Sequence, residues 1–369
     1  MKAKRILITG GAGFIGSNLI REMISDYRII CLDRLTYAGN PRNLHGLTDT
    51  LHIPPGYDKP ERDGGLKMTP LSKIPEDDLV FVLGNVSDQQ LLSRILKSVD
   101  GVIHLAAETH VDRSYLDPGP FIENDFLGTY NLLEAIRRTK RVLRMVHVST
   151  DEIYGTAAVN QKFVEDDPIN PTNPYSVSKA AADRLVATYN RSYGLETIIV
   201  RPSNNYGPNQ HIEKLIPFFI TCGMKGLPLF LYGDGKNVRS WIYVEDCCRA
   251  IRIVYEKGKS GGVYNIPGFE ERENREIATQ LCKLLKIDDT RIEYVKDRPG
   301  HDQRYSLNGG LILKELGFKP TTNLKVGLEK TVRWYIENEG LWRELWDEDF
   351  NGYVKEWYGG LGASSFKKS

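Results

Sequence analysis

The sequence has no excess charge of either sign, no cysteine spacing suited to zinc, and no uninterrupted apolar run of membrane-spanning length. Its 49 lysines and arginines balance 48 aspartates and glutamates, a formal net charge of +1. That balance leaves no electrostatic footprint for nucleic acid or an anionic membrane, although a local basic pocket for a phosphorylated small molecule is compatible with it. The five cysteines, at 31, 222, 247, 248 and 282, contain no C-x-x-C pair. Neither a disulfide framework nor a metal site is expected, and buried free thiols in a reducing cytoplasm are. The most apolar long stretch, 215–232, is broken by Pro217, Lys225 and Pro228. The basic start, Lys2, Lys4 and Arg5, looks like the head of a signal peptide, but its apolar run ends in glycine within a few residues. A soluble cytoplasmic protein is expected. No internal repeat or low-complexity tract is evident.

What is present is a rhythm. Strand-like runs at 5–9, 28–32, 79–83, 101–105, 143–148 and 196–201 alternate with helical spacing, which predicts a parallel sheet with helices on both faces. A chain of 369 residues is long enough for two lobes. The segment 49–78, rich in proline, glycine and charge, breaks the rhythm and is expected to be a surface insertion, a lid or a subunit contact. After residue 201 the turn clusters Asn204–Pro208, Leu231–Gly235 and Arg298–Asp302 suggest a smaller lobe facing the first. The glycine-rich end, 359–369, is expected to be a flexible tail.

The first strand runs directly into Gly10-Gly11-Ala12-Gly13-Phe14-Ile15-Gly16 and then into helical spacing. Glycines at 10, 13 and 16 allow a tight turn, close approach to a pyrophosphate and close helix–strand packing, with the helix N-terminus supplying N–H donors. The second strand ends in Asp33 at the separation expected of a ribose-binding acid. Asp33 favours NAD over NADP, while Arg34 offers a guanidinium that a 2′-phosphate could use.

Tyr175 and Lys179, four apart after Pro174, share one face of a helix. A phenol with an ordinary pKa of about 10 becomes a base when an ammonium and a cationic nicotinamide lie beside it. The strand ending in Ser149-Thr150 is followed at once by Asp151-Glu152. A redox enzyme that only moves hydride needs the Tyr/Lys pair, whereas one that also eliminates water needs an acid and a base as well.

Thr9–Asn18, Leu32–Asn40, His104–Ser114, Ser149–Gly155, Arg201–Pro208, Glu213–Pro217, Tyr232–Arg239 and Gly300–Tyr305 together resemble the extended short-chain dehydrogenase/reductase family, and within it the nucleoside-diphosphate-glucose 4,6-dehydratases. The resemblance implies an α/β fold, a Rossmann-type doubly wound parallel sheet with a smaller mixed α/β substrate-binding lobe. It places the NAD-binding lobe at 1–200 with 236–265 returning to it, and the nucleotide-sugar lobe at 201–235 and 266–350. It implies recycled NAD as cofactor and dTDP-glucose as substrate. Thr150, Asp151, Glu152, Tyr175 and Lys179 are then catalytic. To the cofactor it assigns Gly10, Gly13, Phe14, Ile15, Gly16, Asp33, Arg34, Leu35, Thr36, Asn85, Val86, Leu105, Ala106, Ala107, Glu108 and Asn205, with Tyr175 and Lys179. To the substrate it assigns Thr109, Thr150, Asn204, Lys214, Leu215, Phe230, Tyr232, Arg239, Asn274, Arg304 and Tyr305.

The chain departs from relatives at Asn85-Val86, where they carry Asp-Ile, and at Glu123-Asn124-Asp125, where they read Glu-Thr-Asn. UDP-glucose as substrate, a nucleotide-sugar epimerase and a non-catalytic NAD-binding scaffold remain the alternatives. A scaffold needs the glycine turn but not the acid/base set. The resemblance also implies a homodimer, paired through the apolar faces around 124–138 and 176–190.

Overall fold

A computed structural model describes residues 4–366. Its strands are β1 (Arg5–Thr9), β2 (Arg28–Asp33), β3 (Thr50–Ile53), β4 (Lys67–Pro70), β5 (Leu79–Leu83), β6 (Gly101–His104), β7 (Arg144–Val148), β8 (Thr197–Pro202), β9 (Asn204–Tyr206), β10 (Leu229–Tyr232), β11 (Val238–Tyr243), β12 (Val263–Ile266), β13 (Glu270–Glu273) and β14 (Ile292–Val295). Nine of them form one sheet in the order β12-β8-β7-β6-β1-β2-β5-β3-β4, every pairing parallel. The sequences explain this: β1, β5 and β8 read RILIT, LVFVL and TIIVRP and are buried throughout, as strands covered on both faces must be. Helices Phe14–Met23 and Val244–Lys257 pack together on the sheet, as do helices Gln89–Leu96, Gly128–Thr139 and Pro174–Tyr193.

The order of strands reverses at β1. Thr9 is in register with Leu32 on one side and His104 on the other, so Gly10, Asp33 and Leu105 leave the sheet along the same edge. Ligands of doubly wound sheets bind in the crevice that such a reversal opens.

The smaller lobe holds β9 parallel and β13 antiparallel to β11, plus the parallel pair β10–β14. Its core is aromatic, with Phe218 stacked on Tyr358 at 5.2 Å and on Trp346 at 6.0 Å. The two lobes interleave in sequence. Within 236–265, β11 belongs to the small sheet while β12 ends the large one. Residues 310–318, expected in the smaller lobe, carry Ile312 and Phe318 into the core of the large sheet, because helix Gly310–Leu316 packs against β12.

Two expectations are corrected. The segment 49–78 is not merely a surface excursion, since β3 and β4 within it extend the sheet beyond β5. Both strands are only four residues long, and β4 ends in Pro70 with Lys67 exposed, a composition suited to an edge strand. The glycine-rich end is packed through residue 365 rather than flexible. Helix Glu348–Gly360 runs into it, Ala363 is buried, and Ala363 N–H donates to the Tyr358 carbonyl. Lys296 N–H donates to the Leu361 carbonyl, which ties the end to the strand β14 region. Residues 367–369 lie outside the described residues. Among the described residues no helix is long and apolar enough to cross a membrane, no cluster could hold a metal ion, and all five cysteines are buried free thiols.

Candidate active site

A cavity of about 280 Å³ opens at the carboxyl ends of β1, β2, β6 and β7. Its floor is backbone. Gly10 has φ +70°, and a Cβ there would stand 2.7 Å from the Ala106 nitrogen; at Gly16 a Cβ would stand 2.2 Å from the Gly10 carbonyl oxygen. No side chain fits at either position, so helix Phe14–Met23, capped by Gly13 without a side-chain bond, starts hard against β1 with its first N–H groups free for an anion. Gly10, Gly13, Phe14, Ile15, Gly16, Asp33, Arg34, Thr36, Asn85, Val86, Leu105, Ala106, Ala107, Glu108, Thr109, Asn204 and Asn205 all line the cavity. Leu35 does not. It adopts φ +57° and donates its N–H to Asp33 Oδ1 at 2.8 Å, while Ala12 N–H donates to Oδ2 at 2.9 Å. Burial pushes the Asp33 carboxyl up and those two donors oppose it.

The reacting groups come from two adjacent elements. Beyond β7, Thr150 stays extended and its Oγ accepts from Glu152 N–H at 3.3 Å, which starts the tight turn Asp151–Tyr154. Helix Pro174–Tyr193 begins with a reciprocal cap: Asn173 Oδ1 accepts from Ser176 N–H at 2.8 Å, and Ser176 Oγ accepts from Asn173 N–H at 3.1 Å. Pro174 occupies the first position, where its missing N–H costs nothing. Tyr175 and Lys179 therefore lie one turn apart on the buried face. Lys179 Nζ donates to the Val148 carbonyl at 2.8 Å, and buried Arg201 grips Asp183 through two bonds of 2.9 Å. Together these fix the helix beside the end of β7.

The electrostatics separate the two carboxyls. Burial, and then Glu152, push Asp151 up to about 8. Asp151 Oδ2 is buried without a partner. Burial also raises Glu152, but Arg298, Lys214 and Arg239 all pull it back. Asp151 thus keeps its proton at neutral pH, and Glu152 is the favoured anion of the pair. Burial, followed by Glu152 and Asp125, raises Tyr175 well above the ordinary phenol value. Burial lowers Lys179, against Asp125 and Asp183.

The expected nucleotide residues are dispersed. Lys214 lines the cavity and donates to the Thr109 carbonyl. Tyr305 OH lies 3.3 Å from Glu152 Oε2 and donates to Asp302 Oδ2 at 2.8 Å, and the Arg239 guanidinium sits 4.2 Å over the Tyr305 ring. Tyr232 OH donates to Asp112 Oδ2 at 2.6 Å and its ring faces Tyr358. Leu215 begins helix Leu215–Lys225 and packs on the small-lobe core, where Phe230 is buried. Asn274 is buried at the start of helix Asn274–Leu285, its Oδ1 unpaired. Arg304 holds Glu271 with bonds of 2.8 and 3.0 Å and the Ala158 and Gln161 carbonyls with its remaining nitrogen. Arg304 is thus already engaged, whereas Arg298, which the sequence reading treated only as part of a turn, is the first-ranked cation acting on Glu152. Arg298 pairs with Asp112, 186 positions away, a separation no local signal reveals.

The model of the NAD dependent epimerase/dehydratase family matches residues 6–267. A dTDP-glucose 4,6-dehydratase of Xanthomonas campestris is 41% identical over 353 residues, 90% of this chain and 93% of that one. A trifunctional Arabidopsis thaliana protein whose name includes UDP-glucose 4,6-dehydratase is 41% identical over 354 residues, 93% of this chain and 49% of that one. The crystal structure of a dTDP-glucose 4,6-dehydratase from Streptomyces venezuelae with NAD and TYD bound is 43% identical, covers 92% of this chain and 99% of its own, and superposes with a TM-score of 0.83.

Proposed function

The chain belongs to the NAD dependent epimerase/dehydratase family, and we propose that it converts dTDP-glucose to dTDP-4-keto-6-deoxyglucose. One observation carries the reading: Asp151 and Glu152, in opposed electrostatic surroundings, line the same cavity as Tyr175 and Lys179. An epimerase or a scaffold has no use for an acid and a base side by side.

The residues present fit NAD. The steric cradle at Gly10 and Gly16 admits a pyrophosphate and no Cβ, and Asp33 is anchored by backbone amides at the lip. Bound NAD supplies hydride acceptance from sugar C4 and hydride return to C6. Tyr175, with Lys179 beside it and Thr150 at the same oxygen, takes the C4 hydroxyl proton. The ketone formed at C4 acidifies C5, and Glu152 removes that proton. Asp151 gives its proton to the C6 hydroxyl, which leaves as water as the C5–C6 double bond forms. With hydride back on C6, Glu152 returns a proton to C5. Lys214, Arg239 and Arg298 surround Glu152, where they also suit a diphosphate.

The test is to incubate the protein and NAD separately with dTDP-glucose and UDP-glucose and follow the 4-keto-6-deoxy product by its absorbance in alkali. Product from dTDP-glucose without net NADH is expected. Product mainly from UDP-glucose would move the nucleotide assignment, and none from either would remove the dehydratase reading. Five buried free thiols suit a reducing cytoplasm. Exposed Leu127, Tyr130, Val177 and Tyr193 on the neighbouring helices Gly128–Thr139 and Pro174–Tyr193 and the turn before them suit a second copy of the chain. Sedimentation of Tyr130→Glu should show a monomer where the parent sediments as a dimer.

A further inference from the structure

Asp125 is a buried carboxyl beside the reaction for which the steps above have no use. It lies in the π-helical stretch Ile122–Leu127, just before helix Gly128–Thr139. Such turns insert one residue into a helix and occur often at functional sites. Both carboxylate oxygens are taken: Oδ1 accepts from Glu108 N–H at 2.7 Å and Oδ2 from Ser178 OH at 2.7 Å. The first donor belongs to the cavity-lining segment 105–109, and the second is the residue before Lys179. The backbone is held too, since the Asp125 carbonyl accepts from Thr129 OH at 2.5 Å and Thr129 Oγ lies 3.1 Å from His104 Nε2. Short bonds to both oxygens are those of a carboxylate rather than a neutral acid. Lys179, meanwhile, is 4% exposed, and a buried ammonium without a counter-ion loses its proton.

We infer that Asp125 is a positioning residue, the counter-ion that keeps Lys179 charged inside the protein while tying the nicotinamide-side loop to the helix bearing Tyr175. The inference rests on the roles given above to Tyr175 and Lys179. The other charged or titratable groups facing the pair are Glu108 on the loop, Tyr175 and Asp183 on the helix, and His104 and His147 on β6 and β7. Burial and then Lys179 keep both histidines neutral. Asp125 is the foremost group supporting the Lys179 charge, ahead of Asp183. Burial pushes Asp125 itself up to about 7, so its charge is present above that pH and lost below it.

Asp125→Asn keeps an acceptor for Glu108 N–H and removes only the charge. Losing an anion lowers the pKa of a neighbouring ammonium and of a neighbouring phenol alike. In the NAD-loaded protein, Lys179 followed by NMR of lysine-labelled side chains, with its signal assigned through Lys179→Arg, should titrate about one to two pH units lower in Asp125→Asn. The pH profile for oxidation of dTDP-6-deoxyglucose, which can lose the C4 hydride but has no C6 hydroxyl to eliminate, should move the same way. The difference from the parent should vanish below about pH 6, where Asp125 is protonated in the parent as well. Should the variant not fold, the parent alone decides, because its Lys179 signal should move in two steps, the first near pH 7. A single step, or coincident Lys179 midpoints in the two proteins, would overturn the inference. Failure of the parent to oxidise dTDP-6-deoxyglucose would instead sink the dehydratase reading and leave the Lys179 titration to judge Asp125.

Discussion

The two sides of the crevice are built from different materials. On the side of the large sheet, the dinucleotide cradle is backbone, made of glycines that admit no Cβ, the first N–H groups of a helix, and an aspartate held by two amides. On the side of the smaller lobe the site consists of long cationic side chains drawn from separate segments, and they already hold one another. Arg304 grips Glu271, Arg298 grips Asp112, and Arg239 donates to the Asp302 carbonyl. A backbone site is preorganised by the fold itself. A side-chain site must exchange partners when an anion arrives, so its affinity is a difference between two sets of charged bonds.

That contrast can be broken at three places. The largest effect should come from Gly16→Ala, whose methyl collides with backbone rather than with a flexible side chain. Overpacking of this kind costs about 1–3 kcal/mol, so NAD affinity should fall about 10–100-fold in calorimetry while circular dichroism stays that of the parent. Retained affinity would show that the cradle yields more than its geometry implies. On the other side, Arg298→Ala should raise KM for the nucleotide sugar about 10-fold or more, because it removes a charged donor worth about 1.5–3 kcal/mol and leaves Asp112 buried without its cation. Arg304→Ala, whose partner Glu271 is partly exposed, should raise KM only a few-fold. Equal effects would erase the distinction drawn between these two arginines.

The smallest effect should be one of stability, at the seam where the two sides meet. The folded pKa of Asp151, about 8, lies above the ordinary carboxyl value of about 3.9 in an unfolded chain. Below about pH 4 the group is protonated in both states and costs nothing. As pH rises from there to about 8 the unfolded chain alone ionises, and stability drains away. Asp151→Asn has no proton to lose, so its Tm should exceed the parent's by a few degrees at pH 8 and approach it at pH 4. A constant difference across that range would place the Asp151 pKa near its ordinary value. Activity moves oppositely, since loss of the acid should lower kcat about 10²–10⁴-fold, and the parent's own activity should decline above about pH 8.

Which parts of this were legible in the sequence follows from how local each signal is. The glycine turn, Asp33, Thr150 to Glu152 and the Tyr175/Lys179 pair are each written within a few consecutive residues, next to the strand or helix that positions them. β3 and β4 were missed because four-residue strands at a sheet edge, with prolines and glycines between them, carry too few residues to show a period. The end of the chain was misread because glycine composition says nothing of the buried Ala363 and Tyr358 around it. Arg298 lay in a recognised turn, but its meaning depends on Asp112 and Glu152, which only the tertiary fold brings near. Asp125 stood out in the sequence solely as a departure from relatives, and the π-turn that seats it leaves no pattern to read.

The packing of the last helix also bears on how the protein matures during synthesis. The large sheet has its final strand once residue 266 is made, whereas Tyr232, on the other side of the crevice, is stacked by Tyr358 and bonded by Trp357 at 2.8 Å. A nascent chain therefore gains the means to hold its dinucleotide roughly a hundred residues of translation before it can close around a sugar nucleotide. Redox chemistry on a half-built site is prevented by the order in which the ribosome delivers the two sides.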